Sequence, residues 1–144
     1  MSRATPQMRS FAKRLSAHET GENKSSKTKP SAAFHVCEKL RPNLATLMGN
    51  AGFRAILSRS LALAGAEVRW LRAVHVKADG ALEGLEELQA QLDPNEFIEG
   101  GDVLLAQLLG LLVAFIGTNV TLHLVREVWP KVSYNDLDFG TEVA

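Results

Sequence analysis

One uncharged stretch of twenty-three residues constrains the fold of this chain more than any other feature. It lies between Asp102 and Arg126 and reads VLLAQLLGLLVAFIGTNVTLHLV. About twenty apolar residues in a helix are long enough to cross a bilayer, but a helix buried on all sides within a protein is equally apolar. The stretch therefore predicts either a central core helix or a membrane span.

Polar residues within and beyond the stretch favour the core helix. Gln107, Asn119 and His123 are costly in hydrocarbon. Arg126 and Lys131 would hold the C-terminal end inside, so that about a hundred preceding residues would have to cross without a signal peptide. We therefore expect a core helix from 103 to 129, and a single span through residues 103–125 remains the alternative.

Two amphipathic segments supply helices that need an apolar partner. The first covers residues 32–48, with Pro42 predicting a kink or two shorter helices and Gly49 a stop. The second covers residues 51–71 and carries the clearest apolar stripe. Its members are Phe53, Ile56, Leu57, Leu61, Ala64, Val68 and Leu71.

Shorter elements lie between these helices. Residues 73–77 alternate apolar and polar side chains, and Asp79-Gly80 follows, which predicts a β-hairpin that lies on the helices or pairs with a second copy. Residues 83–92 predict a short acidic helix. Asp93-Pro94 predicts the start of the next helix, which Gly100-Gly101 should weaken before a fresh start at Asp102.

Charge divides the chain into three parts. Sixteen basic residues balance sixteen acidic ones, but they are unevenly distributed. Residues 1–34 contain seven basic and two acidic residues, a net charge of +5, and residues 35–144 contain nine basic and fourteen acidic residues, a net charge of −5. We interpret 1–34 as a flexible basic arm with a short amphipathic helix over 8–18, 35–132 as the helical domain and 133–144 as a loose acidic tail. An acidic body argues against a nucleic-acid partner.

The residues that could carry chemistry form no recognised motif. The single cysteine, Cys37, excludes an internal disulfide, and with His35 it falls short of the four closely spaced donors of a zinc site. Glu83, Glu86 and Glu87 predict a solvated helix face. We therefore expect no catalytic residue, no metal site and no cofactor, and we interpret the chain as non-enzymatic. The alternative, an enzyme with an unrecognised site, would need a deep pocket lined by His75, His123 or the acidic cluster.

Small residues within the uncharged stretch suggest a helix–helix contact. Gly110, Ala114 and Thr118 recur every four residues, which would let another helix backbone approach closely. Its partner would be the 51–71 helix or the same helix of a second subunit. This stripe is the candidate contact site, and a homo-oligomer or another protein is the expected partner.

Three segments resemble an unnamed family of small, uncharacterised bacterial helical proteins. They read VCEKLRPNLATLMGNAGFRAILSRSLALA, VKADGALEGLEEL and LLAQLLGLLVAFIGTNVTLHLVREVWP. The resemblance covers most of residues 9–132 and implies a bacterial, non-secreted origin. It also implies that the basic arm and the helical domain belong to one unit. It implies no activity and no site residue.

The sequence as a whole predicts a mainly α-helical domain around a central hydrophobic helix, with one short β-hairpin and a flexible basic N-terminal arm. The N-terminus lacks a secretory signal, so we expect a cytoplasmic protein-interaction or regulatory module that self-associates. The expected core residues are Phe53, Ile56, Leu57, Leu61, Leu108, Leu111, Leu112, Phe115 and Ile116.

Overall fold

The computed structural model describes residues 6–23 and 32–129. Residues 1–5 and 24–31 of the predicted basic arm and the whole predicted acidic tail, 133–144, lie outside the described residues. The described elements are α1 (Pro6–Asn23), α2 (Ala32–Glu67), a 3₁₀ helix (Arg69–Ala73), β1 (His75–Val76), β2 (Leu82–Glu83), α3 (Leu85–Gln91), α4 (Pro94–Ile116) and α5 (Thr118–Val128). This architecture confirms the mainly helical fold.

Helix α4 is the central element, as the sequence predicts. Seven consecutive residues, 103–109, are buried, so this part of the helix is covered on every side. Its side chains belong to both apolar clusters of the protein. The larger cluster also contains residues from α1, both halves of α2 and α5, and the smaller one joins α2, the 3₁₀ helix and Phe97.

Two glycines turn the chain sharply between helices. Gly49 divides α2 into halves 32–48 and 50–67, with φ 82° and ψ 158°. Gly117 separates α4 from α5 with nearly the same angles, 90° and 160°. This region of backbone space is accessible almost only to glycine. Pro42 keeps helical angles, so the break falls at the predicted stop and not at the proline.

The break at Gly117 corrects the prediction of one continuous helix from 103 to 129. After it, α5 returns to the core, where Leu124, Val125 and the fully buried Trp129 join the larger cluster. A straight span through residues 103–125 is therefore absent from the fold.

A second correction concerns Gly100-Gly101. Helix α4 runs through both residues without a fresh start at Asp102. Its predicted start is confirmed, because Asp93 Oδ1 accepts a hydrogen bond of 2.8 Å from the Asn95 backbone. A Cβ on Gly101 would lie 3.0 Å from the Phe34 ring, so α4 and α2 pack closely here and tertiary contact outweighs the low helix propensity of glycine.

Part of the predicted flexible arm lies in the core. Phe11 and Leu15 of helix α1 are buried in the core that α1 shares with α2 and α4. Its polar residues are also held, because Arg9 pairs with Glu67 and the Ser16 hydroxyl donates a 3.0 Å hydrogen bond to Asp102. The predicted boundary at residue 34 therefore does not separate α1 from the body.

The predicted hairpin is confirmed and lies on α2. Strands β1 and β2 are antiparallel, with His75 opposite Glu83. The Asp79 carbonyl accepts a 2.9 Å hydrogen bond from Arg41 Nη1, and a Cβ on Gly80 would lie 3.0 Å from the Phe53 ring. These contacts place the turn against both halves of α2.

Candidate interaction surface

The apolar end of α4 extends beyond the part of the helix that the protein covers. Leu104, Leu108, Leu111 and Phe115 follow one another at helical spacing and form one ridge. The first two are 0% exposed, Leu111 is half-buried, and the side chain of Phe115 is 65% exposed. The ridge that fills the core thus ends in an uncovered phenylalanine.

Two further exposed apolar residues lie close to Phe115 in the sequence, on either side of the turn at Gly117. Ala114 precedes Phe115 and is exposed, and Val120, three residues beyond the turn at Gly117, is 42% exposed. We call Ala114, Phe115 and Val120 the corner surface. No charged residue occurs between positions 103 and 125. The corner surface and its neighbours in the sequence therefore contribute no charge that would oppose burial.

The predicted stripe of small residues is divided by the turn. Gly110 and Ala114 lie one turn apart on α4, whereas Thr118 begins α5. A Cβ on Gly110 would meet nothing within 4 Å, so no neighbouring helix packs closely on this glycine within the described chain. The small residues expected on the partner helix within the chain are Ala55, Ala62 and Gly65. The two alanines are exposed, and a Cβ on the buried Gly65 would meet Arg72 and not α4.

Most of the expected core is confirmed, and Phe115 is the clear exception. Phe53, Leu57, Leu61, Leu108 and Leu112 are buried. The half-buried members are Ile56, Leu111 and Ile116. Periodicity places Phe115 on the buried ridge, but the sequence does not show where the covering helices stop. Leu47, two residues before Gly49, is also 50% exposed.

The chemistry-bearing residues lie in separate places. Cys37 is buried, and burial together with the Glu38 carboxylate raises the pKa of its thiol to about 12. His123 Nε2 lies 3.2 Å from Glu127 Oε2 on the surface of α5. His75 lines a shallow groove beside Arg72. Within residues 6–23 and 32–129, no group of three or more His, Cys, Asp or Glu side chains is placed to hold a metal ion.

Helix α4 is long and apolar enough to cross a membrane, and 61% of its most apolar eighteen-residue window is buried inside the protein. Core helices of soluble proteins meet the same criterion, so length and composition do not decide between the two environments. Comparison with known proteins finds no family model, curated protein or solved structure that matches the chain.

Proposed function

We propose that the protein is a non-enzymatic interaction module that self-associates through the corner surface. The observation that carries the proposal is the 65% exposure of Phe115 on a ridge whose other end is fully buried. Covering an exposed aromatic side chain is favourable by roughly 25 cal/mol for each Å² of apolar surface removed from water. A partner that covers Phe115 would extend the existing core.

A second copy of the chain is the partner that this surface fits. A two-fold dimer brings the same patch of each subunit together, so the patch must tolerate contact with itself. Because residues 103–125 carry no charge, the corner surface itself would bring no like charges together in a contact between two copies. The open space beside Gly110 would also let a helix of the second copy approach α4 closely.

Molar mass measured by light scattering after size exclusion tests the proposal. The full chain should gain mass as its concentration rises, and Phe115→Glu should shift it to the monomer because a carboxylate would be buried in the contact. Ala90→Glu adds the same charge at an exposed site of α3 and should leave the mass unchanged.

Two results would overturn self-association through this surface. One is a wild-type monomer at every concentration. The other is an unchanged oligomer for Phe115→Glu. At a concentration where the wild type is monomeric, the melting temperatures of the two variants should match that of the wild type, since both substituted side chains are exposed. This comparison separates lost association from lost folding.

The second candidate function is membrane anchoring by a single span. The length and composition of α4 favour it, and the turn at Gly117 moves the candidate span from 103–125 to Pro94–Ile116. Ultracentrifugation of a detergent-free lysate, followed by flotation of the pellet with lipid vesicles, distinguishes the candidates. An anchored protein floats with the vesicles, whereas the self-associating module remains in the supernatant.

A further inference from the structure

An open cleft of about 490 Å³ lies on a different part of the protein, between α2, the hairpin, α3 and α4. The sequence assigns Glu83, Glu86 and Glu87 to a solvated helix face, but the structure places all three around this cleft. The volume lies within the range of protein sites that bind small ligands or peptide side chains, about 300–1,000 Å³.

The inner wall of the cleft is apolar. Phe34 and Phe97 contribute rings whose centroids are 5.1 Å apart, and both side chains are nearly fully buried. Leu82 and Leu85 line the same cleft and are half-buried, so part of their surface faces it. Leu82 and Leu85 therefore form the apolar floor that an occupant could contact, since the two rings behind them are nearly fully buried.

The rim of the cleft carries an excess of negative charge. Glu83, Glu86 and Glu87 are exposed, and in the part of the chain that the structure describes no cation lies within ion-pair distance of them. The fourth glutamate, Glu38, already accepts a 2.8 Å bond from Arg41. Lys77 is the single lysine among the lining residues. The complementary occupant is a cation.

We propose that this cleft binds a lysine- or arginine-containing peptide segment of a partner protein. Its basic side chains would lie against Glu83, Glu86 and Glu87, and a neighbouring apolar side chain would cover the floor at Leu82 and Leu85. A phosphate-rich partner such as nucleic acid would be repelled by the same carboxylates. This site is independent of the corner surface and of self-association.

Fluorescence anisotropy with the full chain tests the inference. The probe is a labelled peptide of alternating lysine and leucine with a central phenylalanine, and the comparison peptide replaces its apolar residues with serine. The first peptide should bind and the second should bind at least about tenfold more weakly, because it cannot cover the apolar floor.

Charge variants locate the binding. A variant that combines Glu83→Gln, Glu86→Gln and Glu87→Gln should bind the lysine–leucine peptide about tenfold more weakly, because it loses three exposed ion pairs. The control combines Glu96→Gln, Glu99→Gln and Glu127→Gln, which changes the net charge equally at exposed positions outside the cleft. It should retain wild-type affinity.

Three results would overturn the inference. They are no binding of the lysine–leucine peptide, equal binding of the two peptides, and equal weakening by the two sets of glutamine substitutions. The last would show general attraction to an acidic protein. Circular dichroism of each variant checks that the helices are retained, and the control set carries the same number of substitutions.

Discussion

The indole ring of Trp70 occupies the space where a side chain at position 100 would stand. A Cβ built on Gly100 would overlap the six-membered part of that ring. Trp70 also stacks on Phe97, one turn earlier on α4, with ring centroids 5.4 Å apart and planes inclined by 15°. The 3₁₀ helix is thus seated on α4 by an aromatic stack that only a glycine at position 100 allows.

Gly100→Ala should lower the free energy of unfolding by about 1–3 kcal/mol or more, because the ring or the helix must move. Urea unfolding measures the change. Gly110→Ala on the same helix is the matched control, since a Cβ there meets nothing within 4 Å, and it should stabilise the protein by about 0.5–1 kcal/mol.

A double-mutant cycle identifies the tryptophan as the cause. In a Trp70→Ala background the ring is gone, so adding Gly100→Ala should cost much less than it costs in the wild type. An equal cost in both backgrounds would contradict the role assigned to Trp70.

Gly117→Ala and Gly49→Ala should each cost about 1–3 kcal/mol for a different reason. Both positions have open space for a Cβ, but their φ values of 90° and 82° disfavour any side chain. Thermal unfolding should show similar losses for the two variants because their backbone angles nearly coincide. A gain in stability at position 117, with increased helical circular dichroism, would indicate that α4 and α5 can join.

The sequence predicts the elements of this fold well because most of them follow a local rule. Apolar residues at helical spacing mark both halves of α2, and Asp79-Gly80 marks the hairpin. Asp93-Pro94 marks the start of α4, because the capping hydrogen bond from Asn95 to Asp93 involves only residues of the first helical turn. Each signal is contained within a few residues, so it can be found without knowledge of the packing.

The errors arise where distant residues decide the outcome. A single glycine in an apolar helix does not by itself mark a break, since Gly110 continues α4 whereas Gly117 ends it. From the sequence, Gly100-Gly101 predicts a weak helical turn. The structure shows that Trp70 and Phe34 pack against these two glycines, which the sequence alone does not reveal. The stripe of Gly110, Ala114 and Thr118 stays a prediction, and the exposure of Phe115 depends on where the other helices stop, which the sequence does not show.

Cys37 should react with a thiol reagent only when the protein opens. Burial raises the pKa of its thiol to about 12, so the reactive thiolate is scarce and also inaccessible. Labelling with an aromatic disulfide reagent should be at least about a hundredfold slower than in urea. An engineered Ser58→Cys, exposed on the same helix, supplies the fast control in a Cys37→Ala background. Comparable rates at the two sites would contradict the burial of Cys37.

Asp102 should make the protein less stable as pH rises through the pKa of this carboxyl group. Burial between α1 and α4 raises that pKa, although the Ser16 hydroxyl and the charge of Lys13 act in the opposite direction. The pKa of Asp102 in the folded protein lies above the ordinary aspartate value of about 3.9. The stabilising contribution of this carboxyl group to the free energy of unfolding is therefore fully present below about pH 3.9 and is lost above the folded pKa.

Asp102→Asn should therefore gain stability relative to the wild type as pH rises across this interval, and urea unfolding at several pH values measures the difference. Glu99→Gln, an exposed site on the same helix, is the control for removing one negative charge. Parallel stability curves for Asp102→Asn and the wild type would contradict the raised pKa.

Phe11→Ala distinguishes a helix that belongs to the core from a detachable arm. The Phe11 side chain is 0% exposed and packs in the same cluster as Leu105 and Leu108, so its truncation should cost about 3–5 kcal/mol. Lys13→Ala, two residues later and exposed, should change the stability by no more than about 0.5 kcal/mol. Urea unfolding measures both variants. If both left the stability unchanged, the basic segment would be a solvated arm, whereas a large loss confined to Phe11→Ala would establish that α1 folds with the body in one cooperative unit.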